Sequence, residues 1–280
     1  MGRLIATLLG VILLVAAAAG SVLLFGYWQA TSDPLLRSAR IALEGWPAGA
    51  RPVRAILISD LHVAGPDMPP ERLRRIVDRI NAQRPDVVLI AGDLVGDKRL
   101  STRRYPMREA VAPLAALRAP LGVLAVLGNH DHWRDAAAAR AALRSAAVRV
   151  LDNRAVALGP LAIGGVDDDF TGHARVAEVV EEVRALRGAR LLLSHSPDPF
   201  PDVPSDVGLT LAGHTHCGQI VLPWIGAFAT MSRYGDRYGC GFVRENGKLL
   251  LVTAGLGTSI APLRIGAPPE FWLLTLGGRR

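Results

Sequence analysis

A chain of 280 residues, half of them hydrophobic, is long enough for one sizeable α/β domain and too short for two full domains plus a membrane segment. Its net charge of +7 comes almost wholly from arginine and favours anionic partners, yet aromatics are only 5% and no nucleic-acid-binding motif appears, so no nucleic-acid partner is expected. Two cysteines, Cys217 and Cys240, are too few to define a disulfide framework and leave the redox compartment open.

From Leu4 to Trp28 the chain carries no charge, and its Leu, Val, Ala and Ile suffice to cross a hydrocarbon core as one helix, with Tyr27 and Trp28 at the interface. A cleaved signal peptide is the rival reading, because Arg3 makes a short n-region and Ala17-Ala18-Ala19 offers small residues. The apolar run continues through Val22-Leu23-Leu24-Phe25, so residues 1–30 are read as an uncleaved, single-pass anchor with the lipid bilayer as partner. Arg37, Arg40, Arg51 and Arg54 outnumber Arg3 plus the terminal amine, which by the positive-inside rule leaves the following domain in the cytosol. Residues 31–52, with Pro, Gly and scattered charge, read as an irregular linker, and 53–280 as one domain.

Val53 to Ser59 is a strand by its apolar run, and Asp60-Leu61-His62 follows it directly. Pro70 to Gln83 repeats apolar residues at helical spacing, and Asp86 to Ala91 is a second strand leading into Gly92-Asp93. A helix around Met107 to Leu117 and a strand at Leu121 to Leu127 repeat the plan, ending in Gly128-Asn129-His130-Asp131; an Ala-rich helix spans Arg134 to Ala147. Beyond Val148 the strands shorten. The Glu245-Asn246-Gly247-Lys248 punctuation reads as a hairpin and suggests a more antiparallel second half.

Five polar islands thus lie at strand ends or follow apolar runs, the last two being His195 and Gly213-His214-Thr215-His216. In open α/β sheets the C-terminal strand ends carry the ligand-binding loops. The oxygen and nitrogen donors in these islands suit a hydrolytic pair of divalent metal ions. Such a pair needs one shared ligand, for which Asp93 is the candidate. Asp60 and His62 leave one strand together toward a first ion, and Asn129 offers a neutral carbonyl oxygen to a second. His195, His214 and His216 complete the shells. His130 fits the role of acid to the departing alkoxide, with Asp131 expected to orient or charge-stabilise its imidazole.

In order and chemistry these islands resemble the calcineurin-like metallophosphoesterases, over about residues 53–276. The resemblance implies a four-layer α/β/β/α sandwich. It implies Asp60, His62, Asp93 and His216 as ligands of one metal, Asp93, Asn129, His195 and His214 as ligands of the other, and His130 as leaving-group acid. The anchor, the Gly218-Gln219 pair after the last histidine, and Gly255-Leu256-Gly257-Thr258-Ser259 with Pro262-Leu263-Arg264 resemble the membrane-bound bacterial branch. That branch includes YaeI-type phosphodiesterases and the lipid A pathway enzymes that hydrolyse UDP-2,3-diacylglucosamine. The expectation is therefore an inner-membrane hydrolase that cleaves a phosphodiester or pyrophosphate bond with metal-activated hydroxide, on an anionic, lipid-linked substrate. Mn²⁺ leads among the metals, while Fe²⁺, Zn²⁺ and Mg²⁺ accept the same ligands. A soluble phosphodiester or phosphoester substrate is the alternative, and a metal-free interaction module the third reading, opposed by the intact ligand set.

The sequence departs from the family pattern at Gly96, where an acid is common and Asp97 follows instead, leaving that acid's role open. Cys217 stands where glycine is common and is expected to be a packed, inert thiol. His132 and His173 are read as surface or supporting residues, and Asp167-Asp168-Asp169 as an acidic loop. Arg264 is a candidate for holding a substrate phosphate, with a structural salt bridge explaining it equally well.

Overall fold

The computed structural model describes residues 2–279, and its elements follow the apolar runs of the sequence. Helix α1 (Gly2–Thr31) precedes β1 (Leu35–Ala42), β2 (Val53–Ile58), β3 (Ala64–Gly65), α2 (Pro70–Ala82), β4 (Val87–Ala91), β5 (Arg103–Arg104), α3 (Met107–Val111) and β6 (Val123–Val126). Then come α4 (Asn129–Ser145), β7 (Arg149–Val150), β8 (Arg154–Leu158), β9 (Leu161–Gly165), α5 (Val176–Ala185), β10 (Ala189–Leu193) and β11 (Leu209–Ala212). The chain finishes with β12 (Val221–Leu222), β13 (Gly226–Ala227), β14 (Gly241–Glu245), β15 (Lys248–Val252) and β16 (Glu270–Gly277).

Two six-stranded sheets carry the domain, ordered β1-β16-β2-β4-β6-β7 and β14-β15-β11-β10-β9-β8. The period of two in a strand decides what each face meets. Ala55 and Leu57 of β2, with Leu89 and Val126, pack against Ile163, Leu191, Leu211 and Leu251 of the other sheet. Ile56, Ile58 and Ile90 point the other way, onto α2 and α4. Helix α2 meets them with Leu73, Ile76, Val77 and Ile80, one stripe at 3.6-residue spacing, and Pro70 begins it where a missing N–H costs nothing. Val179 and Val183 of α5 cover Ala162 and Leu192 on the far side. The result is the expected four-layer α/β/β/α sandwich.

Three sequence expectations need correction. The segment read as an irregular linker contains β1, which pairs in parallel with β16 from Leu35↔Glu270 to Ala42↔Gly277. Its partner strand is more than two hundred residues away, so nothing local announces the pairing. The expectation of a more antiparallel second half holds at its hairpins β8–β9, β12–β13 and β14–β15 but not at the centre of its sheet, where β9, β10, β11 and β15 are parallel neighbours. The β14–β15 hairpin is the one expected, with Asn246 and Gly247 both at positive φ as a type I′ turn requires. The third concerns 107–117, where α3 ends at Val111 and passes into a 3₁₀ turn, because Pro113 cannot donate to an α-helical ladder.

Candidate metal centre

Strands β2, β4 and β6 run parallel, as do β10 and β11, so the islands that follow them emerge at common sheet ends. The loops then bond to one another. Asp60 N–H donates to Gly92 O and His62 N–H to Asp93 O, each at 3.0 Å, while Gly213 N–H donates to His195 O at 2.9 Å. This brings the sequence-predicted ligands into two groups. Asp60, His62 and His216 form one, and Asp93, His195 and His214 the other; within each, the ligand atoms lie within 4.8 Å of one another. Asp93 lies between them, its Oδ2 3.4 Å from His62 Nε2 and 3.3 Å from His195 Nε2. Asn129 joins the second group, its Oδ1 3.1 Å from His195 Nε2.

The backbone is bent to achieve this. Asp60, His62, Asp93, His214 and His216 all sit at positive φ, between 42° and 70°. Each such non-glycine residue costs about 1–3 kcal/mol and persists only where its surroundings over-determine it. The motif glycines supply the room. A Cβ on Gly92 would lie 2.7 Å from Gly128 N and 2.8 Å from His195 Nδ1, and one on Gly213 2.5 Å from Asp60 Oδ2.

Hydrogen bonds also decide which ring nitrogens face inward. His195 Nδ1 donates to Ala91 O at 2.7 Å, and His214 Nε2 donates to Met231 O at 3.1 Å. That leaves His195 Nε2 and His214 Nδ1, 3.1 Å apart, turned toward Asp93 and Asn129. His62 Nε2 and His216 Nε2 meet at 3.0 Å with Asp60 and Asp93 around them. Burial lowers His214 to about 4 and holds His62 and His216 well below the usual imidazole range, which keeps them neutral and able to ligate. Burial also works against charge on Asp93 and His195, but their mutual attraction outweighs it, holding Asp93 low and His195 high. Buried carboxylates surrounded by converging imidazole nitrogens, one of them retaining a proton that a cation would displace, fit a pair of divalent metal ions.

A family model described as calcineurin-like phosphoesterase matches residues 53–218. The chain belongs to this family. It is 30% identical over 247 residues to an uncharacterized metallophosphoesterase of Aquifex aeolicus, covering 85% of this chain and 90% of that one. It is 31% identical over 256 residues to the uncharacterized metallophosphoesterase YkuE of Bacillus subtilis, covering 88% and 85%. It is also 30% identical over 270 residues to a transmembrane protein with metallophosphoesterase domain from Danio rerio, covering 90% of this chain. The chain spans 59% of that relative's length. As a member of the family it is a metal-dependent phosphoesterase, a phosphohydrolase with Asp and His clusters that could hold divalent metal.

Within this phosphoesterase frame, several residues have other roles than expected. Asp131 does not orient His130. It is the N3 residue of α4, its Oδ2 accepts from Gly128 N–H at 3.0 Å and its Oδ1 from Leu94 N–H at 2.9 Å, and burial pushes it up to about 7. The acid nearest the His130 ring is Asp97, with Oδ2 4.0 Å from Nδ1 and Oδ1 held by Arg134 at 3.0 Å. His130 itself is fixed by its N–H on Asp93 Oδ1 at 2.9 Å and by edge packing on His62 and Trp133.

Arg264 is fully buried and does not line the cavity beside the candidate ligands. It donates to Ala267 O at 2.8 Å and to Ala254 O and Gly257 O at 2.6 Å, and its Nη2 lies 3.3 Å from His216 Nδ1. It is a positioning residue that ties the 254–267 loop behind the centre. Lys98, buried on Asp67 at 2.6 Å and on His62 O at 3.2 Å, does the same for the Asp60–His62 loop. In the sequence it sits within Asp97-Lys98-Arg99, which looks like a solvated charged turn. His132 pairs with Asp167 at 2.8 Å and stacks on His173, away from the centre. Cys217 is not a free thiol but is bonded to Cys240, bracing the turn that carries His214 and His216. Thr215 Oγ1 reinforces the brace by donating to Gly239 O at 2.7 Å.

Proposed function

We propose that this phosphohydrolase cleaves a phosphodiester or diphosphate bond in a lipid-linked substrate, at the membrane to which α1 anchors it. One observation carries the reading. A cavity of about 460 Å³ runs from Asp93, Asn129, His130 and His214 to Trp133, Ile220, Phe228, Met231 and Ile260, so phosphate-handling groups stand at the end of an apolar groove. A cavity of similar size, about 480 Å³, lies beside β1 and the β14–β15 edge and contains none of these residues.

In the proposed assignment Asp60, His62, Asp93 and His216 hold one cation and Asp93, Asn129, His195 and His214 the other, with Mn²⁺ ahead of Fe²⁺, Zn²⁺ and Mg²⁺. When bound, the two cations supply Lewis acidity that neutralises phosphoryl charge and acidifies water. His130 handles the proton on the leaving side. Its Nδ1 is buried, which leaves Nε2 to donate to the oxygen released as the P–O bond breaks. Asp97 stands behind the ring to compensate its charge, and Trp133 packs against it and keeps bulk water from that edge.

α1 is 30 residues long and apolar enough to cross a membrane. We propose a bacterial inner membrane as its location. The arginine excess behind it argues for a cytosolic domain, but Arg37, Arg40 and Arg54 are exposed residues on strands β1 and β2 and so belong to the folded domain. Folded domains translocate largely regardless of charge, whereas a disulfide such as Cys217–Cys240 belongs to oxidising compartments. On that ground the proposal places the domain on the oxidising side. Comparing full-length protein on acylated diphosphates in mixed micelles with water-soluble diesters tests the substrate. A kcat/KM preference for the acylated substrate is expected, and equal rates would remove the lipid part.

A further inference from the structure

The β12–β13 hairpin carries large apolar side chains into solvent. At its tip Trp224 is wholly exposed (102%), and Ile225 and Phe228 are each 71% exposed. No charged residue occurs between His216 and Arg233. A hairpin without charge, standing in water with three large apolar side chains, is a contact surface in need of a partner.

Its base shows where that partner lies. Val221 N–H donates to Ile265 O at 2.8 Å, and Ile265 N–H to Gln219 O at 2.9 Å. The adjoining Arg264 N–H donates to Gly26 O in α1 at 2.9 Å. Gly26 is buried there, so close that a Cβ would touch Leu263 Cδ2 at 3.4 Å. One short segment, 263–265, therefore holds the hairpin on one side and the last turns of α1 on the other. Those turns carry Phe25, Tyr27 and Trp28, exposed aromatics at the end of the apolar helix, where an interfacial belt belongs.

We propose that the β12–β13 hairpin is a second membrane contact, its Pro223-Trp224-Ile225 tip entering the headgroup–acyl boundary of the leaflet that α1 leaves. The inference rests on α1 as a retained anchor and not on the choice of substrate. A second copy or a soluble protein partner explains exposed apolar groups, but not their absence of charge or their tie to the interfacial end of α1. The same loop forms a wall of the metal cavity through Ile220, Phe228 and Met231, and Met231 O fixes His214. A hairpin seated in the leaflet thus opens the cavity mouth to the lipid phase.

The test uses full-length protein reconstituted into phosphatidylcholine vesicles with or without bromine on the acyl chains, comparing wild type with Trp224→Phe. The exposed site makes this substitution harmless to the fold, which unchanged metal content confirms. Bromine is expected to quench a component of the emission that disappears in Trp224→Phe, while aqueous acrylamide leaves that component untouched. Quenching of the Trp224 component by acrylamide alone would overturn the proposal, and so would shielding from both quenchers, the result a second copy or protein partner would give. Hydrolysis of an acylated substrate in the same vesicles is read separately, so failure of the hairpin contact is distinguishable from failure of the lipid-substrate reading.

Discussion

The metal centre and the hairpin that overhangs it are neighbours built on opposite plans. At the centre Asp60, His62, Asp93 and His195 are buried, backbones are held at positive φ, and inward-facing nitrogens are selected by partners such as Ala91 O and Met231 O. At the rim Trp224, Ile225 and Phe228 are exposed on a hairpin whose base is tied by Val221 N–H to Ile265 O. The groups proposed to hold metal are over-determined, because a displaced ligand would lose the ion. The groups proposed to meet the bilayer need only surface and position.

The sharpest break in that comparison is Asp93→Asn, which removes the charge shared by both groups. It is expected to abolish metal retention and lower kcat/KM by on the order of 10³-fold or more, read by metal analysis and steady-state kinetics. His130→Ala comes next, with a loss of about 10²–10⁴-fold on substrates with poor leaving groups and a smaller one on p-nitrophenyl esters, metal content unchanged. If metal were lost as well, His130 would belong to the ligand shell. Asp97→Asn is expected to cost about 10–100-fold, the scale of a supporting partner, whereas Asp131→Asn should act on α4 stability rather than on the pH profile.

Stability predictions separate the two regions further. Burial raises Asp60 from 3.8 to about 7 in the metal-free protein. A raised carboxyl contributes stability that is full below its unfolded pKa and lost as pH rises through the folded one. Metal binding needs the ionised form and so reverses that loss. The rise in Tm on adding Mn²⁺ should therefore grow between pH 5 and about pH 7, and a pH-independent rise would refute the role given to Asp60. Replacing Cys217 and Cys240 by serine should cost roughly 3 kcal/mol, measured by denaturant unfolding, and should loosen the turn carrying His214 and His216.

The centre was legible in the sequence because each island is local: two to four consecutive residues carry both the turn and the ligand. The supports were not, since they come from distant chain. Arg264 reaches His216 across 48 positions, and β1 finds its place only on β16. Lys98 and the Cys217–Cys240 bond likewise depend on tertiary neighbours. Asp131 is different, because an acid three residues after an N-cap can accept the N-cap N–H locally, as its Oδ2 does from Gly128. Adjacency to His130 in sequence points to a catalytic role, whereas the bond that forms is the local capping one.

The most direct measurement is the metal content and bis(p-nitrophenyl) phosphate hydrolysis of the full-length protein in detergent, run beside Asp93→Asn and after chelation. About two divalent ions per chain are expected, with turnover that vanishes in the variant, disappears with chelator and returns with Mn²⁺. Undiminished turnover by Asp93→Asn or by the chelated protein would contradict that expectation.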